Sequence, residues 1–148
     1  HALHFNFGLM CGALPNGRKK GVALTDATVS AMPGTDVKGP TALAKSAAKP
    51  VDQAKWATNH LNMKFHPSAL RTRDGLRKLI ALVKTYFDLG GYHVQFNCID
   101  NKTLIDAQLH PESYKDLVVR VAAFSAYFIH LDKGVQDEVI KRSVLGWE

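Results

Sequence analysis

The sequence predicts a mixed α/β fold, read as helix-strand-helix-strand-helix after a loop-rich N-terminal part. Three observations predict it. Leu76, Leu79, Ile80, Val83 and Phe87 recur at helical spacing; Tyr92, Val94, Phe96 and Cys98 alternate with His93, Gln95 and Asn97; and turn formers crowd residues 8 to about 60.

The loop-rich part is punctuated by Pro15-Asn16-Gly17, Pro33-Gly34 and Gly39-Pro40. So long a turn-rich stretch must satisfy its backbone polar groups somewhere. It is expected either to be disordered or to lie against protein outside this chain. Ala42 to Lys49 reads as a short helix stopped by Pro50. The helix carrying Leu76 to Phe87 places Arg77, Lys78 and Lys84 on its other faces and ends at Gly90-Gly91, glycine entering the left-handed region at little cost. The alternating strand follows. Asp100 or Asn101 caps a helix with Leu104, Ile105 and Leu109, and Pro111 suits the first turn of a short helix reaching about Lys115. Leu117 to Val121, interrupted by Arg120, reads as a second strand. Asp132 is expected to cap a last helix with Val135, Val139 and Ile140 on one face. No internal repeat is visible.

A length of 148 residues suits one domain or a piece of something larger. With 46% apolar and 22% charged residues, disorder, collagen and low-complexity scaffolds are excluded. No apolar run is long enough to span a membrane. The two cysteines, Cys11 and Cys98, form no disulfide framework and fit a reducing compartment, with one bridge left open. His1 to Gly8 lack the pattern of a signal peptide and the chain lacks a starting Met, so it is expected to be the interior of a longer chain. The net charge of +6 is dispersed, with Arg18-Lys19-Lys20 the sole basic triplet. A solvated surface explains it better than a nucleic-acid footprint, and the aromatic-rich basic signature of single-strand binders is missing.

The usual chemical constellations mostly fail. The glycines between Gly8 and Gly21 lack dinucleotide or P-loop spacing. Asp26 and Asp36, ten apart in loops, form an unspecific carboxylate pair. The seven histidines show no metal-ligand spacing. His1 and His4 read as incidental, His93 as a satisfied structural histidine beside Gln95 and Asn97, and both cysteines as buried, inert thiols without a neighbouring base. Composition and spacing alone end at a mixed α/β domain of unassigned function.

One stretch carries more. Asp116 to Phe128 followed by Gln136 to Arg142 resembles the C-terminal end of the glycyl radical enzymes, with Arg120-Val121-Ala122 and Phe124 matching their Arg-Val-x-Gly-Tyr/Phe signature. That family includes pyruvate formate-lyase, diol and hydroxyproline dehydratases, choline trimethylamine-lyase, isethionate sulfite-lyase and arylacetate decarboxylases. Gly12 to Arg18, Ser30 to Asp36 and Gly39 to Ala42 resemble the loop-rich region before the radical domain, and Gly90 to Asn97 resembles its Gly-Gly-x-His-x-Gln-x-Asn strand. The likeness runs through nearly the whole chain in the same order. It implies the C-terminal part of a ten-stranded α/β barrel, with residues 1–60 a loop-rich segment lying on the barrel and 61–148 the glycyl radical domain.

The departure falls at the decisive position. Ala123 stands where the family has the radical-bearing glycine. A Cα radical is stabilised by delocalisation into both flanking amides, which needs a planar centre that a methyl group crowds. The resemblance also implies that an activating enzyme removes the pro-S hydrogen of the glycine, the position that L-alanine fills with its methyl. Ala123 is therefore expected to prevent activation. A Gly-to-Ala variant introduced on purpose is favoured over a natural inactive paralogue, since it also removes the point at which oxygen cuts the activated chain. Arg120, Val121, Phe124 and Ser125 are expected to shape the loop between a strand ending near Val121 and a helix starting near Asp132. Arg120 on a buried strand calls for a carboxylate or backbone carbonyl partner.

The family's thiyl cysteine lies far upstream, and neither Cys11 nor Cys98 occupies its context. The implied function is radical storage within a lyase or dehydratase cleaving C–C, C–O, C–N or C–S bonds, in a chain not self-sufficient as an enzyme. Its partners would be the remainder of the barrel and a radical activase using S-adenosylmethionine and a 4Fe-4S cluster, with no cofactor bound to the chain itself, no metal and no membrane. The implied location is anaerobic cytoplasm or a bacterial microcompartment. Two rival readings are a stand-alone spare-part subunit that binds a damaged lyase, and a basic nucleic-acid-interacting module, which the dispersed charge disfavours.

Overall fold

The computed structural model describes residues 3–49, 55 and 59–147. Its elements are α1 (Leu3–Met10), α2 (Gly39–Ala48), β1 (His60–Phe65), α3 (Pro67–Leu70), α4 (Arg73–Asp88), β2 (His93–Cys98), α5 (Asn101–Leu109), β3 (Val118–Arg120), β4 (Ser125–Tyr127) and α6 (Lys133–Lys141), with single 3-10 turns at Pro111–Ser113 and Phe128–His130. The fold is a mixed α/β arrangement, but two strands were not foreseen. In β1, Leu61, Met63 and Phe65 alternate with His60, Asn62 and Lys64, a composition with little β-branched character. The three residues of β4 are too few to display a period.

Strands β1 and β2 pair in parallel, from His60 opposite His93 to Phe65 opposite Cys98. The crossover between them is α3 and α4, as a parallel pair requires. Leu61, Met63 and Phe65 form one core with Leu43, Ala44 and Ala47 of α2 and Leu82 and Tyr86 of α4. Leu145 extends the far edge of β1: its N–H donates to the Lys64 carbonyl at 2.7 Å, and its own carbonyl receives the His66 N–H at 2.9 Å. A second core joins Leu104 and Ala107 of α5, Val119 and Val121 around β3, Phe128, and Val135 and Val139 of α6.

Helix α4 starts where Thr72 Oγ1 accepts the Gly75 N–H at 3.0 Å and ends with Gly90 in the left-handed region at φ +95°. Its inward face differs from the expected stripe. Leu76, Ile80 and Phe87 are 47%, 57% and 45% exposed, whereas Leu82 and Tyr86 are buried. The two faces lie roughly a third of a turn apart at 3.6 residues per turn. Tyr86 decides between them, because burying its large ring removes most apolar surface from water.

The turn-rich segment is ordered and finds backbone partners inside the chain, contrary to the expectation of disorder. Arg18, 3% exposed, is not part of a solvated basic triplet. Its guanidinium donates to the carbonyls of Gly12 at 2.5 Å, Gly8 at 3.4 Å and Val22. The Val29 N–H reaches the His60 carbonyl at 3.1 Å, and Ser30 Oγ accepts the Asn62 N–H at 2.9 Å, so the segment runs along β1. Helix α2 spans Gly39–Ala48, while Pro50, expected to stop it, and His1 lie outside the described residues.

Two caps resolve differently from each other. Asp100 accepts the Thr103 N–H at 2.8 Å at the start of α5, a bond that holds its carboxyl below the usual carboxylate range. Asp132 precedes α6 but makes no side-chain cap bond; its backbone carbonyl takes the Val135 and Gln136 N–H groups instead.

Candidate functional site

The β1–β2 sheet has an apolar face and a polar one, because side chains alternate along each strand. The polar face carries His60, Asn62 and Lys64 on β1 opposite His93, Gln95 and Asn97 on β2. Strands β3 and β4 form an antiparallel hairpin beside it, pairing Arg120 with Ser125. The stretch expected as a loop between Val121 and Asp132 is a tight hairpin followed by a 3-10 turn.

The join between β2 and the hairpin is one side chain. Asn97 Nδ2 donates to the Arg120 carbonyl and Asn97 Oδ1 accepts the Arg120 N–H, both at 2.8 Å. A carboxamide carries one donor and one acceptor spaced like a peptide group, so it pairs as a strand residue would. One residue on, Arg142 Nη2 donates to the Val121 carbonyl at 2.5 Å, and Nη1 reaches the Arg120 carbonyl at 3.1 Å. Next, Asn62 Nδ2 donates to the Ala122 carbonyl at 3.3 Å. Three successive carbonyls before position 123 are held by side chains from β1, β2 and the end of α6.

Ala123 stands at the exposed tip of the hairpin. The Val121 N–H donates to the Phe124 carbonyl at 3.0 Å, closing a loop of two residues, Ala122 and Ala123. Such loops commonly need positive φ, yet neither alanine adopts it. The tip's closed shape thus accommodates alanine. Val121 is fully buried, Phe124 is 40% exposed, and Ser125 lies exposed at the start of β4. Arg120 meets neither the carboxylate nor the carbonyl expected for it. Its side chain points to the half-open face, where Nη1 donates to Ser125 Oγ at 3.1 Å, and no carboxylate pairs with it among the described residues.

Beneath the hairpin lies a charged cluster. Arg142 pairs with Asp26 at 2.9 Å and with both Glu138 oxygens at 2.6 and 3.0 Å. His4 of α1 reaches Glu138 Oε2 at 3.2 Å, so His4 is not incidental. Burial alone would raise the Glu138 carboxyl, but the hydrogen bonds from His4 and Arg142 and the Arg142 charge outweigh it and hold the pKa below the ordinary glutamate value. Asp26 and Asp36 both face this cleft: Asp26 also accepts from Asn62 at 3.1 Å, and Asp36 accepts from the Ser143 hydroxyl. Lys64 donates to Asn101 Oδ1 at 2.8 Å and to the last carbonyls of α6, Val139 at 3.0 Å and Ile140 at 3.2 Å. Burial, then the nearby Arg142 charge, lower its pKa to about 8. His93 stacks edge-on against His60 at 4.7 Å, and burial, His60 and Arg120 hold its pKa down.

The cysteines do not behave as buried thiols. Cys98 is exposed and Cys11 half-buried, and both are free. Among the described residues, no cluster of three His, Cys, Asp or Glu side chains is arranged to hold a metal ion, and no helix is long and apolar enough to cross a membrane.

This hairpin and its floor fall in a region with known counterparts. The family description "Glycine radical" matches residues 25–129, most of the chain and the whole hairpin. The chain belongs to the glycyl radical family. It is 52% identical over 140 residues to an indoleacetate decarboxylase from Tractidigestivibacter scatoligenes, covering 95% of this chain and 16% of that protein. It is 45% identical over 136 residues to a 4-hydroxyphenylacetate decarboxylase glycyl radical subunit from Clostridium scatologenes, covering 92% and 15%. In structure it is similar to a B12-independent glycerol dehydratase from Clostridium butyricum, with a TM-score of 0.90 at 48% identity over 98% of this chain and 18% of the other. A Roseburia inulinivorans structure described for 1,2-propanediol dehydration superposes with a TM-score of 0.90 at 42% identity, covering 95% and 18%. The chain thus spans about a sixth of the length of these glycyl radical relatives and resembles their C-terminal region.

The residues that hold the hairpin were only half visible in the sequence. The polar alternation at 93–97 was on view, but its partner at 60–64 and the cover supplied by Arg142 and Asp26 were not, since they arrive from 22 residues after Arg120 and from the N-terminal loop.

Proposed function

We propose that this chain is the radical-storing C-terminal domain of a glycyl radical lyase, dehydratase or decarboxylase, and that Ala123 keeps it from being activated. The observation that carries the reading is the hairpin tip at Ala123 within the family match, its incoming limb held carbonyl by carbonyl. The relatives include decarboxylases, a dehydratase and sulfite-lyases. What so varied a set shares is storage of the radical, not a substrate.

In the glycine-bearing parent, an activating enzyme that uses S-adenosylmethionine and an iron-sulfur cluster takes one hydrogen atom from the Cα at position 123. The Cα radical delocalises into both flanking amides, provided the peptide planes stay aligned. Asn62, donating to the Ala122 carbonyl, bonds to one of those two amides. The radical then takes a hydrogen atom from a thiol elsewhere in the barrel, and the thiyl takes one from substrate. Arg120, Val121, Phe124 and Ser125 keep their expected role as the walls of the loop. Residues 1–60 and 61–148 are read as the barrel-lying segment and the radical domain.

Exposed apolar side chains support association with the rest of a larger enzyme. Val118, Phe124 and Tyr127 on the hairpin are 51%, 40% and 48% exposed, and Leu109 on α5 is 69% exposed. Patches of this kind mark surfaces meant to be covered. The partners are the remainder of the parent and the activase, in anaerobic cytoplasm or a microcompartment.

The test restores Ala123→Gly and incubates the chain anaerobically with a cognate activase. A glycyl doublet in electron paramagnetic resonance is expected for the glycine form and none for the alanine form. A silent glycine form, with an activase active on its own partner, would sink the reading.

A further inference from the structure

We propose that Arg142 is the positioning residue that latches the hairpin closed. The inference deepens the radical-loop reading by naming what holds the tip in place.

All five guanidinium N–H donors of Arg142 are used. Nε and one Nη2 hydrogen form a two-pronged pair with Glu138, at 3.0 and 2.6 Å. The second Nη2 hydrogen goes to the Val121 carbonyl at 2.5 Å, and Nη1 divides between Asp26 Oδ2 at 2.9 Å and the Arg120 carbonyl at 3.1 Å. The side chain is 9% exposed and stands on carboxylates from two distant segments, one in the N-terminal loop and one on α6. Those anions fix the fork, and the fork then grips the hairpin. A planar guanidinium can span two successive carbonyls and two carboxylates at once, which a lysine ammonium cannot.

The grip is one-sided. Val121 would ordinarily give its carbonyl to the Phe124 N–H in closing the loop, but that oxygen is turned to Arg142 instead. The incoming limb is anchored at residues 120, 121 and 122, while Ala123, Phe124 and Ser125 are exposed. Opening the tip from Arg120 to Ser125 means exchanging bonds from a few side chains for bonds to water, with Val121 the core residue displaced. A loop that must be shielded at one time and reached by an activase at another needs a hold of this reversible kind. His4, through Glu138, ties the latch to α1.

The test is amide hydrogen exchange on the full chain, which requires no radical and so stands apart from the resonance experiment. The Arg120 and Val121 N–H groups report the hairpin; those of Leu61 and Gln95 report the β1–β2 sheet. In Arg142→Lys, exchange at Arg120 and Val121 should rise at least about tenfold, the factor expected from losing one charge-assisted bond, with Leu61 and Gln95 unchanged. Asp26→Asn, which loosens the fork without touching Arg120 or Val121, should raise the same two amides by a smaller factor and decides the matter if Arg142→Lys fails to fold. Lys64→Met, which loses bonds to the neighbouring α6 carbonyls but none to the hairpin, should leave the ratio of hairpin to sheet exchange as it was. Hairpin exchange equal to the parent chain in a folded variant, or a rise shared equally by the sheet, overturns the latch.

Discussion

The Asn97 carboxamide pairs with both the N–H and the C=O of Arg120, so Asn97→Asp removes the donor and sets a carboxylate against a carbonyl oxygen. A loss of about 1–3 kcal/mol is expected in denaturant unfolding, the usual result of leaving a buried polar group unpaired. Lys64 makes a prediction of opposite character. Its folded pKa of about 8 lies below its ordinary 10.5, so between those values the unfolded chain holds a proton that the folded chain has released. Stability should therefore rise with pH across that window, by at most about 1.4 kcal/mol per pH unit from this one group. Subtracting the profile of Lys64→Met isolates it; a difference that is flat from pH 8 to 10 contradicts the assignment. At Ala123 the bend needs no positive φ, so Ala123→Gly should lower stability by about 0.4–1 kcal/mol through the freer unfolded chain. A stabilised glycine form would mean that alanine strains the tip.

Among the elements, α4 shows how one large ring sets a helix's orientation. Tyr86 is 1% exposed, and a Cβ on Gly91 would come within 2.4 Å of its ring. Gly91→Ala must displace that ring from the core, and a cost of about 1–3 kcal/mol is expected, as for other overpacked sites. Gly90→Ala meets no atoms but demands a left-handed alanine, so its cost comes from backbone strain alone. Combining Gly91→Ala with Tyr86→Phe should not rescue it, since the close atoms belong to the ring and not to the hydroxyl. Thermal unfolding of the single and double variants distinguishes the two causes. The expected stripe of Leu76, Leu79, Ile80, Val83 and Phe87 had a helical period as good as the true face, and of it Leu79 does pack against the core. Period alone identifies a helix; which side is buried depends on what covers it.

Over the whole molecule, the buried ionic cluster ties α1, the N-terminal loop, α6 and the hairpin together. Glu138 has its pKa held below the ordinary glutamate value, so the stability it contributes is present above pH ~4.3 and is lost as pH falls through the folded value. Acid unfolding followed by circular dichroism should show this loss in the parent chain and a shallower acid limb in Glu138→Gln. Equal acid limbs would remove Glu138 as the linking group. The chain's exposed apolar surface belongs to this scale as well. The chain spans about a sixth of its relatives' length, and Val118, Phe124, Tyr127 and Leu109 are the exposed apolar residues proposed above to meet the remaining polypeptide.

The sequence alone determined that Leu76 to Phe87 lie on a helix ended by glycine, that Tyr92 to Cys98 form a strand with one polar face, and that the 116–128 segment resembles a radical loop lacking its glycine. These are local features, written in period, turn chemistry and contiguous motif. Only the tertiary structure decided that the 60–65 strand supplies the other half of the polar face, that Arg18 holds together a segment that reads as loop, and that Asn62, Asn97 and Arg142 grip the backbone ahead of Ala123. The bonds of Asn62, Asn97 and Arg142 join positions 21 to 60 residues apart, and a donor's partner at that separation is set by how the chain folds back, which no local spacing records.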